Sequence, residues 1–203
     1  MILPIRLDAD VTKFRLFSVR REDPAFEQYQ KKVFERDQYT CQYCAFQAQS
    51  DLLVLNKNGN YHQNALSNLV TSCFFCAQCF FLQAVGTGDF GGGVLLYLPE
   101  ISQNQLSALT HVLFSFLLSG GEQYDEAKNI YRALRLRSQL VEQHLGEGMS
   151  QPALYGQLMV DVLESNHGKK TSVWQEGLRL LPQVSSFLLQ IKQWHQDALT
   201  PID

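Results

Sequence analysis

Two cysteine pairs, Cys41-x-x-Cys44 and Cys73-x-x-Cys76, constrain this chain more than any other feature. Two residues between cysteines let a tight turn aim both sulfurs inward, and neither pair alone fills a tetrahedron. Residues 45–72 must therefore fold back so that four thiolates meet at one ion. The first seventeen residues, MILPIRLDADVTKFRLF, lack a basic stretch followed by a sustained apolar run and do not read as a signal peptide. The chain is expected in the cytoplasm, where a reducing milieu disfavours two disulfides as the use of these cysteines. Four thiolates suit the tetrahedral, redox-silent coordination of zinc, and iron in a rubredoxin-like site takes the same ligands. With every position filled by protein, no site is left for water or substrate. Cys41, Cys44, Cys73 and Cys76 are thus expected to hold one structural zinc ion.

Charge and hydropathy narrow the remaining classes. The formal net charge is -3 in 203 residues, which works against any function needing a broadly cationic surface. With 45% hydrophobic residues the chain is long enough to bury a sizeable core. The densest apolar runs, 74–82 and 112–118, fall short of the ~20 residues that a membrane-spanning helix needs.

Along the chain, the alternation over 13–19 predicts a strand, and Asp23-Pro24 predicts a capped helix over 24–36 that buries Phe26, Tyr29, Val33 and Phe34. The cysteine module follows, with strand-like stretches at Tyr39-Thr40 and 52–55 and a turn at Asn58-Gly59-Asn60. The segment GTGDFGGG, residues 86–93, matches a dinucleotide-binding fingerprint at Gly86, Gly88 and Gly91. It follows a helix and precedes a strand, the reverse of the context that motif requires, and reads as a loop. A strand over 94–98 ends at Pro99.

Beyond Pro99 the pattern is helical: a helix capped by Ser102 with Leu106, Leu109, Leu113, Phe116 and Leu117 as its buried stripe, then helices over 124–145, 152–163, 173–180 and 184–198. Gly120-Gly121, Gly146, Gly148, Gly168 and Pro182 punctuate them. Trp174 and Trp194 fall on helical patterns as core or interface residues. Lys128, Arg132, Arg135 and Arg137 share their segment with Glu122, Asp125, Glu126 and Glu142, which reads as a solvated, salt-bridged face. The fold class expected is α+β, with residues 1–93 carrying short N-terminal strands and the cysteine module, and residues 94–203 mainly helical and packed against them.

The module itself resembles the HNH endonucleases. Arg36, Asp37, Tyr39, Cys41 and Cys44, then Asn68-Leu69, then Cys73 and Cys76, stand where that family has its Arg-Asp-x-Tyr-x-Cys-x-x-Cys knuckle, its Asn-Leu and its second cysteine pair. The resemblance implies a treble-clef zinc fold. The catalytic half is missing: the family's Asp-His pair falls at Leu53-Val54, or at Leu55-Asn56 with a shorter loop, and Ala77 follows Cys76 where the family has Asn or His. Such a nuclease needs a histidine to activate water and a second metal to stabilise the phosphate. His62, in the polar loop 60–64, reads as an exposed loop residue, with a displaced base as the alternative. Cys79 reads as a small buried hydrophobe rather than a fifth ligand.

Over its whole length the chain resembles a subunit family of the coupling complex in Dot/Icm type IVB secretion systems. The resemblance implies a non-catalytic, cytoplasmic protein that binds the C-terminal extension of the membrane-anchored coupling ATPase, DotL, beside the adaptors IcmS and IcmW, in the delivery of effector proteins. The amphipathic stretches 102–118 and 184–198 are the candidates for the partner groove. A metal-dependent nuclease of HNH type and a zinc protein that reads nucleic acid are the alternatives, and neither fits the acidic balance well.

Overall fold

Asp10 decides how the chain begins. Its backbone is extended and its carboxylate accepts the Lys13 amide at 2.9 Å, so residues Val11–Arg21 form helix α1 and not the strand expected over 13–19. A short apolar run satisfies both periods. The cap and the helical spacing of Phe14, Phe17 and Arg20 settle it, with Phe17 and Arg20 buried. The computed structural model describes residues 2–164 and 173–198. Residues 2–10 form no strand, contrary to the short N-terminal strands expected. They are tied down instead by side chains and loops: Asn104 donates to Leu3 O at 2.7 Å and to Tyr43 O at 2.6 Å, and Asp8 exchanges backbone bonds with Cys79 and Leu82.

Helix α2, Pro24–Arg36, opens as expected on Asp23, which accepts the Ala25 amide. Phe26 and Val33 pack on Val54 and Leu69 with Phe34 beside them, whereas Tyr29 is exposed. Those partners lie on a hairpin of β1, Leu52–Asn56, and β2, Leu69–Cys73, antiparallel with Leu52 opposite Cys73 and Asn56 opposite Leu69. Arg36 and Asp37 fasten helix to hairpin. The Asp37 carboxylate accepts the Thr71 amide at 2.8 Å, and Arg36 donates to Leu66 O and Leu69 O, both at 2.7 Å. Strand β2 runs directly into helix α3, Phe74–Gln78.

The second half contains a strand pair. Strand β3, Gly93–Tyr97, pairs antiparallel with β4, Leu178–Pro182, where a continuous helix was expected over 173–180. Only Val173–Glu176, α8, is helical there. The cue missed is that β3 needs a partner: Leu178, Leu180 and Leu181 are all buried, as suits a strand covered on both faces. The free edge of β4 is capped by Gln103, whose amide both donates to Leu180 O at 2.9 Å and accepts the Leu180 amide at 2.8 Å.

Around this pair lie α4, Gln103–Ser119; α5, Tyr124–Leu136; α6, Ser138–Leu145; α7, Pro152–Glu164; and α9, Leu188–Ala198. Helix α4 carries the Ser102 cap with a reciprocal Gln105 bond. The expected helix over 124–145 breaks at Arg137, whose guanidinium reaches Glu100 at 2.8 and 2.5 Å. The stretch 184–198 is one turn, Val184–Ser186, followed by α9. Leu106, Leu113, Phe114, Ile191 and Trp194 of α4 and α9 pack in the chain's own core, while Val112, Leu188 and Leu189 on the same helices are exposed. Gly168 lies outside the described residues, as does the side chain of Trp174. Among the described residues no helix is long and apolar enough to cross a membrane.

Two glycines are required by close packing. Gly91 has φ +70° in the glycine-rich loop, and a Cβ there would sit 2.2 Å from the Phe187 ring. At Gly156, α7 crosses the turn Leu82–Ala84 so closely that a Cβ would meet the Gln83 nitrogen at 2.3 Å. The obstacle is backbone, which cannot rotate away. Gly156→Ala is expected to destabilise the protein by about 1–3 kcal/mol despite the better helix propensity of alanine, as urea denaturation would read.

Candidate metal centre

Three elements deliver the four cysteines. The turn after α2 carries Cys41 and Cys44: the Cys41 amide donates to Phe46 O at 2.8 Å, and the Ala45 amide returns to Cys41 O at 3.0 Å with Ala45 at φ +62°. This is a tight knuckle, and a bridge between Thr40 and Gln47 closes its base. Cys73 is the last residue of β2 and Cys76 lies one turn into α3. All four sulfurs fall within 4.8 Å of one another, and all four residues are buried.

The Cys44 and Cys73 sulfurs are 3.6 Å apart. A disulfide requires about 2.05 Å. The edge of a tetrahedron with metal–sulfur bonds of about 2.3 Å is about 3.8 Å, so the spacing suits ligands around an ion. Protonation agrees. Burial pushes the Cys73 and Cys76 thiols well above the usual range, while at Cys41 hydrogen bonds from the neighbouring sulfurs overcome burial and pull the thiol well below it. A divalent cation would supply the charge that burial withholds from Cys73 and Cys76, which surrender their protons when it binds. The donor set and its spacing are compatible with a zinc site.

The surroundings are aromatic, and they include one residue that the sequence did not single out. His111 on α4 places Nε2 3.3 Å from the Cys73 sulfur. Its ring is stacked between Phe46, at a centroid distance of 3.6 Å, and Phe75, at 4.2 Å, with the Trp194 edge at 5.2 Å. Burial pushes its pKa down to about 3, so the ring is neutral. The available signal was helical phase: Ser107, His111 and Phe114 share a buried face of α4, about 100° round the helix from Leu106 and Leu113 of the stripe chosen by leucine spacing.

The other singled-out residues stay apart from the four sulfurs. Cys79 is fully buried, its thiol donates to Phe75 O at 3.3 Å, and burial holds it protonated. His62 is exposed, with its amide on the Asn60 side chain at 3.0 Å. Leu53, Val54 and Leu55 are buried in β1, and Ala77 is buried in α3. The Asn56 side chain is committed: it donates to Asn60 O and Gln63 O at 2.9 and 2.8 Å and accepts from Arg20. Arg20 also donates to Val54 O at 2.7 Å and lies over the Phe26 and Tyr61 rings. Asn68 braces the same loop through Asn58 and Gln63. In the basic cluster, Arg137 pairs with Glu100, Lys128 lies over Tyr124, and Arg132 and Arg135 are exposed.

Fold and site together define a mixed α/β protein with small antiparallel sheets, built around a buried four-cysteine centre. No protein-family model matches the chain. It is 45% identical over 198 residues to the Type 4 apparatus protein DotN of Legionella pneumophila subsp. pneumophila (strain Philadelphia 1), a match that covers 98% of this chain and 92% of the relative. The chain belongs to the DotN family, also called IcmJ, which is the family that the sequence resembles over its whole length.

Proposed function

We propose that the chain is a non-catalytic adaptor subunit of a type IVB secretion coupling complex, which binds the C-terminal extension of a DotL-like coupling ATPase beside IcmS- and IcmW-type adaptors. The identity to DotN over nearly the full length carries this reading. Cys41, Cys44, Cys73 and Cys76 hold one zinc ion in a treble-clef module, with the metal fixing the hairpin and α3 against α4. The knuckle, hairpin and following helix, in that order, support the treble-clef assignment. A centre with four protein thiolates leaves no position for water, so the ion has no Lewis-acid task on a substrate. The positions where an HNH enzyme keeps its Asp-His pair are filled by buried aliphatic residues or by the committed amide of Asn56, which supports a scaffold without hydrolytic chemistry. The protein stays on the cytoplasmic face and reaches the inner membrane through the ATPase.

Co-expression of the full chain with the ATPase tail, followed by size-exclusion chromatography, tests this. One co-eluting species at micromolar concentration is expected, and truncating a central apolar anchor of the tail should weaken binding by about 2 kcal/mol or more. Separate elution would overturn the adaptor reading. Magnesium-dependent cleavage of nucleic acid that disappears in His62→Ala would replace it with a nuclease.

A further inference from the structure

Four thiolates around one divalent ion carry a net charge of -2, and this centre is enclosed by aromatic rings. No lysine or arginine among the described residues hydrogen-bonds to any of its sulfurs. N–H donors must therefore moderate that charge. The only side-chain nitrogen that the described residues bring to hydrogen-bonding distance is His111 Nε2, 3.3 Å from the Cys73 sulfur. The ring cannot swing away, because Phe46 and Phe75 clamp its two faces and Trp194 closes one edge.

The position of its single proton follows from the two nitrogens' surroundings. His111 Nδ1 is buried and has no hydrogen-bond partner. A proton there would be a buried, unmet donor, whereas a proton on Nε2 points at a thiolate. An unmet acceptor and a satisfied, charge-assisted donor are the cheaper combination. We propose that His111 is the outer-sphere positioning residue of the metal centre: its Nε2–H tautomer donates to the Cys73 thiolate, withdraws charge from that sulfur, and slows release of the ion. This rests on the zinc reading above.

Donation of this kind has a consequence that ring packing alone would not produce. Phenylalanine at 111 keeps a flat ring between Phe46 and Phe75 but offers no hydrogen, and glutamine offers an N–H without the ring. The experiment uses the full chain as wild type, His111→Phe and His111→Gln, each loaded with zinc or cobalt. Zinc transfer to a chromogenic chelator at neutral pH is expected to be about 10- to 100-fold faster in His111→Phe, with His111→Gln recovering part of the difference. In the cobalt forms, the sulfur-to-metal charge-transfer band of His111→Phe should move to lower energy, since a thiolate freed of its hydrogen bond is easier to oxidise. Equal transfer rates and an unshifted band would overturn the proposal. If His111→Phe does not fold, long-range proton–nitrogen NMR of the wild-type holoprotein gives the tautomer directly. Protonated Nε2 with bare Nδ1 supports the proposal, and the reverse overturns it. Wild-type protein that is folded and binds no metal would instead defeat the zinc reading, a result distinguishable from both.

Discussion

Serine in place of Cys41, Cys44, Cys73 or Cys76 is expected to unfold the region 37–82 and to yield protein that is largely insoluble or stripped of metal. The local structure explains the size of the effect. The knuckle has Gln38, Tyr39 and Ala45 at positive φ, each strained for a residue with a side chain, and the hairpin pairs only five residues on each strand. Five-residue strands and strained turns do not by themselves offset the ordering entropy of such a segment, so the cross-link adds to the packing of Leu53, Leu55, Val70 and Phe75 in the core. Structural zinc in small modules contributes on the order of 10 kcal/mol, comparable to the ~5–15 kcal/mol total stability of a domain. A hydroxyl in place of one thiolate removes a ligand and leaves three buried thiols that cannot all ionise. The four variants should behave alike, whereas Cys79→Ser, where the thiol donates to Phe75 O and serine can still make that bond, should cost about 1 kcal/mol. Metal analysis, solubility and far-UV circular dichroism check this together. Folded, soluble wild-type protein carrying well under one ion per chain would sink the assignment, and so would a Cys41→Ser variant that melts like wild type.

The contrast between Cys79 and the other four shows what the sequence makes legible. Ligand spacing is a covalent constraint, written locally, and it identified the cluster that the fold assembles. Caps are equally local: Asp23-Pro24 and Ser102 each start a helix where the residues predict it. Residues 13–19 and 173–180 carry short apolar runs compatible with either period. The Asp10 cap, local but just outside the stretch, decides the first, whereas the second is decided by pairing with the distant strand β3. His111 escaped notice for the same reason. Its meaning lies in Cys73, Phe46 and Phe75, which are remote in the chain and adjacent only after α4 has docked.

That docking depends on the far end of the molecule, and Trp194→Ala is expected to show it with a loss of about 3–5 kcal/mol. Trp194 on α9 sets its ring edge-on against Phe46, Phe75 and His111, at centroid distances of 5.0, 5.6 and 5.2 Å, and its indole N–H donates to Ser50 O at 3.3 Å. Asp197, one turn on, accepts from the Ser50 hydroxyl at 2.7 Å. Truncation removes a buried ring from the wall of the four-cysteine centre and leaves the Ser50 carbonyl without its donor. Trp194→Phe keeps a ring at the site and should cost less. The consequence reaches beyond α9 if residues 1–93 and 94–203 unfold as one cooperative unit, which we propose because the knuckle, α4 and α9 share these aromatic contacts. Thermal melts followed both by circular dichroism and by zinc release to a dye distinguish the cases. Coincident transitions, displaced together by Trp194→Ala, are expected. Two separated transitions, with zinc release unmoved by the substitution, would show that the cysteine module stands without the helices.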